Sequence, residues 1–74
     1  MQRKKDMLIF DVTVEITTME KYLNYLRSSF QAFADNPTIE NRQTLHKYYI
    51  EIATHLPKLR EYIAWFVKAI NEEA

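Results

Sequence analysis

The 74-residue chain contains no glycine and no cysteine, and it has only two prolines and two histidines. Glycine tolerates positive φ at little cost, so its absence disfavours tight turns and excludes the glycine-rich P-loop and dinucleotide-binding fingerprints. The absence of cysteine excludes disulfides, thiol nucleophiles and cysteine–histidine zinc clusters. A chain this short is near the lower size limit for a single core, and none of these staples supports it.

Catalytic arrangements of side chains are also missing. The only two serines are adjacent, and no histidine lies near them in sequence. Asp11 and Glu15 would share one helical face, and we interpret them as solvating groups beside an apolar surface rather than as an acid–base pair. Glu51 and His55 are four residues apart, and we interpret them as a surface pair rather than as metal ligands. We therefore expect no enzyme activity, no metal and no cofactor.

The charges balance, with ten basic and ten acidic residues. Proteins dedicated to nucleic acids usually carry a basic excess, so this balance disfavours that class. Asp11 and Glu15 interrupt the apolar stretch near the N-terminus, so we expect no export signal. The apolar stretch over 62–67 is short and ends at Lys68, so we expect no membrane span. We expect a soluble, cytoplasmic protein without membrane contact.

The strongest pattern in the chain is a heptad repeat between Leu45 and Ile70. Apolar residues recur there at alternating spacings of four and three, and the pattern keeps its phase through Pro57. This spacing is typical of a long helix with one apolar seam that must be buried against other helices. The members of this second seam are Leu45, Tyr49, Ile52, Leu56, Leu59, Ile63, Phe66 and Ile70.

The first half of the chain carries a similar seam, and a corner separates the two. The members of this first seam are Ile9, Val12, Ile16, Met19, Leu23, Leu26, Phe30 and Phe33. At the corner, Asn36 can cap a helix, Pro37 suits its first position and Glu40 suits its first turn. We therefore predict one helical domain over 1–74, with a helix over about 7–34, a corner at 35–37 and a helix over about 38–72.

Residues 7–17 also fit a strand, because apolar and polar residues alternate there in a β-branched run. Such a strand would need a copy from a second subunit as its partner. A helix would cost a few tenths of a kcal/mol for each β-branched residue, which packing can offset. We favour the helix, and the strand paired between subunits stays the alternative.

Pro57 lies within the second seam and removes the backbone hydrogen bond to the carbonyl of Ala53. The residues around it include no glycine, asparagine or aspartate that would build a reversing turn. We predict a continuous helix that is kinked at Pro57. The alternative is a break at this point that gives a compact three-helix bundle.

Two helices this apolar cannot cover both seams within one chain, since 47% of the residues are hydrophobic. We therefore predict an all-α fold in which a long antiparallel helical hairpin dimerises into a helical bundle, with the seams as its core. This architecture resembles the small helical-hairpin dimers that form four-helix bundles, as in the plasmid RNA-binding Rop family. The resemblance is one of shape, and no motif or residue role is carried by it.

Aromatic residues also lie beside the seams. Tyr48, His55 and Tyr62 repeat every seven residues, and Tyr22 flanks the first seam. Such residues could stack bases or line a groove, but they more often widen a helical core and leave their polar atoms at its rim. We interpret them as part of the core.

Two sites away from the seams point to a partner. Phe10 and Val14 would lie on the face opposite the first seam, and Trp65 lies near Tyr62 among charged residues, where a tryptophan can be an interaction hot spot. Trp65 could equally pack within the oligomer. We predict a small non-enzymatic protein-interaction module, an adaptor or regulator, that binds another protein through these four residues. The alternative is an RNA- or DNA-binding hairpin dimer.

Overall fold

The computed structural model describes residues 4–73, which form two helices. Helix α1 comprises Lys5–Asp35 and helix α2 comprises Ile39–Glu73. All but four of the described residues are helical, and none of them lies in a strand. The helices pack as an antiparallel hairpin with dimensions of 54 × 16 × 14 Å. A helix of 35 residues is about 52 Å long, so α2 spans nearly the whole molecule.

The N-terminal segment is helical, and the alternative of a strand over 7–17 is wrong. The Thr13 hydroxyl donates to the carbonyl of Ile9 at 2.8 Å, and the Thr17 hydroxyl donates to the carbonyl of Thr13 at 3.0 Å. These bonds give the threonine hydroxyls partners within the helix itself. Packing against α2 supplies the remaining stabilisation, because Leu8 of this segment is completely buried.

Thr38 caps α2 at the corner, so the sequence-based assignment of this cap to Asn36 is wrong. The Asn41 amide N–H donates to Thr38 Oγ1 at 3.1 Å, so Thr38 is the N-cap of α2. The Asn41 side-chain Nδ2 donates to the carbonyl of Asn36 at 2.8 Å and to the carbonyl of Ala32 at 3.3 Å. One asparagine of α2 therefore satisfies backbone acceptors at the end of α1.

Helix α2 continues through Pro57 without interruption, so the alternative of a compact three-helix bundle is wrong. Pro57 is exposed, and the Thr54 hydroxyl nearby donates to the carbonyl of Ile50 at 2.8 Å. The proline ring can face solvent here, which limits its steric conflict with the neighbouring helix.

Each helix contacts the other through one line of residues. That line contains only half of the residues of the predicted seam on the same helix. In α1 the buried and half-buried residues that follow the four–three spacing are Leu8, Val12, Glu15, Met19, Tyr22, Leu26, Ser29 and Phe33. In α2 the corresponding half-buried residues are Asn41, Leu45, Tyr48, Ile52, His55, Leu59, Tyr62, Phe66 and Ala69. Within one hairpin, the other helix therefore covers half of each seam, and the prediction that both seams are fully buried in a dimer stays a prediction.

The core of one hairpin is thin. Among residues 4–72, only Leu8, Met19 and Ser29 are buried. Each helix has a single neighbour, so most of its surface stays open to solvent. A chain with so few buried side chains leaves much apolar surface uncovered.

Candidate functional site

The most prominent surface feature is a pair of exposed apolar rows, one on each helix. In α1 the row consists of Ile9, Ile16, Leu23 and Phe30, and in α2 it consists of Tyr49, Leu56, Ile63 and Ile70. Successive members of each row are seven residues apart, so each row runs straight along its helix. All eight side chains are at least 40% exposed. These residues are the halves of the two predicted seams that do not face the other helix.

Both rows lie on the same side of the hairpin, as three shallow grooves show. Ile9 and Ile63 line one groove near the open end of the hairpin. Leu23 and Phe30 line a second groove, and Tyr49 lines a third. Leu26 and Leu45 line both of these grooves, so the two grooves lie side by side. We call the surface formed by the two rows the apolar face.

The other edge of the helix contact is polar and aromatic. His55 Nδ1 and Glu15 Oε2 are 2.9 Å apart, and the His55 and Glu15 side chains are only 19% and 13% exposed, respectively. The Tyr22 ring stacks on the His55 ring at 5.6 Å with an interplanar angle of 30°. This pair therefore joins α1 to α2 about halfway along the hairpin.

Three tyrosines continue this edge toward the corner. The ring centroids of Tyr22, Tyr25 and Tyr48 are 5.1 to 6.5 Å apart. The Nζ atoms of Lys21 and Lys47 lie 5.4 Å and 5.6 Å from the ring centroids of Tyr22 and Tyr48. These are cation–π distances, so each ammonium stabilises an aromatic ring beside it. We call these three tyrosines and two lysines the tyrosine cluster.

The four predicted partner-binding residues fall into two separate groups. Phe10 and Val14 are 66% and 43% exposed, and they lie on the outer side of α1. Tyr62 and Trp65 are half-buried in α2, where their rings meet edge to face at 6.0 Å. Their role in partner binding stays a prediction, and the fold places both groups in the half of the hairpin that is distant from the corner.

Sequence reasoning missed the pairing of Glu15 with His55. The interpretation of Glu15 as a solvating group is wrong, because its carboxylate faces α2. His55 reaches this carboxylate across the hairpin, so the surface pairing with Glu51 is not its main contact. The available signal was the spacing of Leu8, Glu15 and Tyr22, which also recur every seven residues.

The chain was compared with protein-family models, with curated proteins and with solved structures. None of the three comparisons returned a match. Within residues 4–73, neither helix has a stretch long and apolar enough to cross a bilayer. The same residues hold no cluster of three or more side chains suited to a metal ion. The cytoplasmic location stays a prediction.

Proposed function

We propose that this protein is a non-enzymatic protein-interaction module that acts as a homodimer. Two hairpins pack through their apolar faces into a four-helix bundle, and the remaining surface binds another protein as an adaptor or regulator. The observation that carries the proposal is the apolar face itself. Its two rows complete the two seams that the isolated hairpin leaves half covered.

The amount of exposed surface supports a second copy as the occupant of this face. The chain exposes 5838 Å². A compact monomer of 8.9 kDa would expose about 4,800 Å², by the usual scaling of surface with mass. The excess of about 1,000 Å² is close to the roughly 800 Å² that each partner buries in an interface of standard size. Pairing with a second copy would also place apolar rows against apolar rows.

Sedimentation velocity tests the dimer. We expect the wild-type chain to sediment with twice the 8.9 kDa chain mass, and Leu23→Glu to sediment as a folded monomer because it places a charge in the apolar face. The matched control is Asn24→Glu, which adds a charge at the adjacent exposed position outside the rows. A wild-type chain that stays monomeric at high micromolar concentration would overturn the proposal.

The heterologous partner surface needs a separate test. A photo-crosslinking amino acid at position 10 should give one defined adduct in the source cells, whereas the same probe at Thr17 should not. Thr17 is the matched control because it lies seven residues along the same exposed row as Phe10. The partner identified by mass spectrometry should then bind the purified wild-type dimer and lose binding to Phe10→Asp. If the partner binds the wild-type protein and the Phe10→Asp variant equally well, Phe10 is not part of the contact.

We also propose that α2 is bent at Pro57 in the dimer. The missing N–H leaves the Ala53 carbonyl without its helical donor, and helices commonly bend at such a point. Residual dipolar couplings of backbone N–H groups on the two sides of Pro57 measure the angle between the helix halves. A single alignment axis that fits both halves would show a straight helix.

Nucleic-acid binding is the second candidate function, and the tyrosine cluster is the observation that favours it. Aromatic rings beside lysines are the elements from which single-stranded nucleic-acid sites are built. In this cluster Tyr25 is 44% exposed, and Tyr22 and Tyr48 are half-buried. The cluster lies away from the apolar face, so a dimer would keep it accessible. Fluorescence anisotropy with a labelled single-stranded RNA at low salt tests this function. Binding should weaken steeply with salt and on Lys21→Glu, and an absence of binding at low salt would exclude it.

A further inference from the structure

The apolar face is organised in levels along the hairpin, each with one residue from either helix. The contacts Glu15–His55 and Tyr22–Tyr48 fix the register between α1 and α2. On the exposed side, Ile9 and Ile63 line one groove and form the first level, and heptad steps along each helix give three more. From the open end they pair Ile9 with Ile63, Ile16 with Leu56, Leu23 with Tyr49, and Phe30 with Arg42. Arg42 is an exposed residue one heptad before Tyr49 that continues the α2 row but is not apolar. Ile70 lies one heptad beyond Ile63, further toward the open end.

A symmetric dimer through this face has two possible arrangements. When the twofold axis runs along the bundle, both corners lie at the same end, and α1 of each chain lies beside α2 of the other. When the axis is perpendicular to the bundle, the corners lie at opposite ends, and α1 lies beside α1. The first arrangement places each level against the same level of the other chain. The second places the Phe30–Arg42 level against the Ile9–Ile63 level.

Arg42 distinguishes between these arrangements. With corners at opposite ends, the guanidinium of Arg42 would lie against Ile63 of the other chain. The C-terminal end of α2 of that chain would extend past it and cover it. The apolar rows contain no acidic residue that could pair with it. Burying an unpaired charge in this way is costly. With corners at the same end, Arg42 lies in the last level, where it can reach solvent and the ring of Phe30 of the other chain.

Glu20 and Ile70 favour the same arrangement. Glu20 is exposed beside the apolar row of α1. With corners at opposite ends it would face Glu20 of the other chain near the twofold axis, and like charges this close repel. Ile70 would then extend beyond the paired levels, over the other chain's corner. With corners at the same end, Glu20 faces Ala53 of the other chain, and the two Ile70 side chains approach each other.

One contact favours the arrangement with corners at opposite ends. Ile39 and Val67 are exposed beside the apolar row of α2, and with corners at opposite ends they would meet between the two chains. That contact lies at the edge of the bundle, where apolar side chains keep part of their exposure and burial stabilises less. The stabilisation from this contact does not offset the cost of burying the Arg42 guanidinium against Ile63.

We infer that the two hairpins of the dimer lie with their corners at the same end of the bundle, so that α1 of each chain packs beside α2 of the other. This inference rests on the proposed dimer. It makes the functional unit polar along its axis, with both sets of chain termini at one end and both corners at the other.

Disulfide crosslinking tests the arrangement directly, because the chain has no cysteine of its own. With corners at the same end, Thr13 of one chain lies level with Arg60 of the other. With corners at opposite ends, Ala53 lies beside Ala53. All three positions are exposed in the hairpin, border the apolar face and leave Glu20 and Arg42 intact. A disulfide forms only when the two Cα atoms come within about 7 Å.

The variants Thr13→Cys, Arg60→Cys and Ala53→Cys are oxidised alone and in mixtures after subunit exchange. We expect a covalent dimer from the mixture of Thr13→Cys with Arg60→Cys, and none from either variant alone or from Ala53→Cys. A covalent dimer from Ala53→Cys alone would overturn the inference and keep the proposed dimer. Sedimentation of the reduced samples completes the test. Monomers would overturn the proposed function, and dimers that give no crosslink in the mixture would overturn the arrangement.

Discussion

The imidazole Nδ1 of His55 lies 2.9 Å from Glu15 Oε2, and this pair joins the two helices across 40 positions of the sequence. Both side chains are mostly buried, so the contact is shielded from solvent and from salt. The stacked Tyr22 ring covers the imidazole on one side. The pair fixes which residues of α1 and α2 lie at the same level.

We predict measurable coupling between Glu15 and His55. In a double-mutant cycle with Glu15→Ala and His55→Ala, the coupling free energy of unfolding should be about 1 kcal/mol, because the hydrogen bond is partly buried. Urea unfolding at fixed protein concentration measures it, since the proposed dimerisation would make stability depend on concentration. The control cycle uses Gln31 and Asp35, whose exposed contact of 3.0 Å should couple by less than about 0.5 kcal/mol. Additive effects of the Glu15 and His55 substitutions would contradict the prediction.

Leu8 and Ile9 are adjacent, and we predict opposite consequences for their replacement. Leu8 is 0% exposed, so Leu8→Ala should lower the free energy of unfolding by roughly 2–4 kcal/mol through the cavity it leaves. Ile9 lies in the apolar face, so Ile9→Ala should mainly raise the dissociation constant of the proposed dimer. Urea unfolding and sedimentation equilibrium on both variants separate the two effects. A Leu8→Ala protein as stable as wild type would show that the N-terminal turns of α1 do not pack as described.

Thr38 is the N-cap of α2, and we predict that its loss destabilises the protein. Thr38→Ala removes the acceptor for the Asn41 amide and should cost about 1 kcal/mol of unfolding free energy. Thr44→Ala is the matched control, because the Thr44 hydroxyl bonds only within its helix, to the carbonyl of Glu40 at 3.1 Å. That substitution should be neutral or slightly stabilising, since alanine has the higher helix propensity. Equal losses for both variants would argue against the cap.

Replacement of Pro57 should stabilise the protein. Proline in a helix interior costs about 3 kcal/mol relative to alanine in an isolated helix. We expect a smaller cost here, because α2 is already packed against α1 around Pro57. Pro57→Ala should therefore raise the unfolding free energy by roughly 1–3 kcal/mol, with an unchanged hairpin. Thermal unfolding followed by circular dichroism measures the gain. A variant less stable than wild type would contradict this prediction and would support the proposed bend of α2 at Pro57.

Much of this fold can be read from the spacing of apolar residues. The helical hairpin and the corner near Pro37 follow from the two heptad seams and their interruption. The seams do not predict how each helix is rotated about its axis. In α1, a four–three pattern can start at Leu8 or at Ile9, and either pattern could face α2. Only the contact with α2 selects Leu8. The isolated pair packs on one line of each helix, which leaves the other half of each seam exposed.

The candidate site shows the same limit. Phe10 and Val14 are exposed as their position opposite the seam indicated, because no other part of the described chain lies near that side of α1. Glu15 could not be placed from sequence, since a carboxylate in an apolar context reads as a solvated group until its histidine partner is located on another helix. Thr38 was missed because Asn36 is an equally good cap by residue type, and only the backbone geometry of the corner decides between them.

The side chain of Asn41 has a consequence for how this surface can evolve. By bonding to the carbonyls of Asn36 and Ala32, it ties the first turn of α2 to the end of α1. An extra residue inside the corner that was not absorbed there would turn α2 by about 100° and advance it by about 1.5 Å. Tyr49, Leu56, Ile63 and Ile70 would leave the face together. Substitutions along the helices alter this surface one side chain at a time, whereas a change of length at the corner alters all of one helix at once.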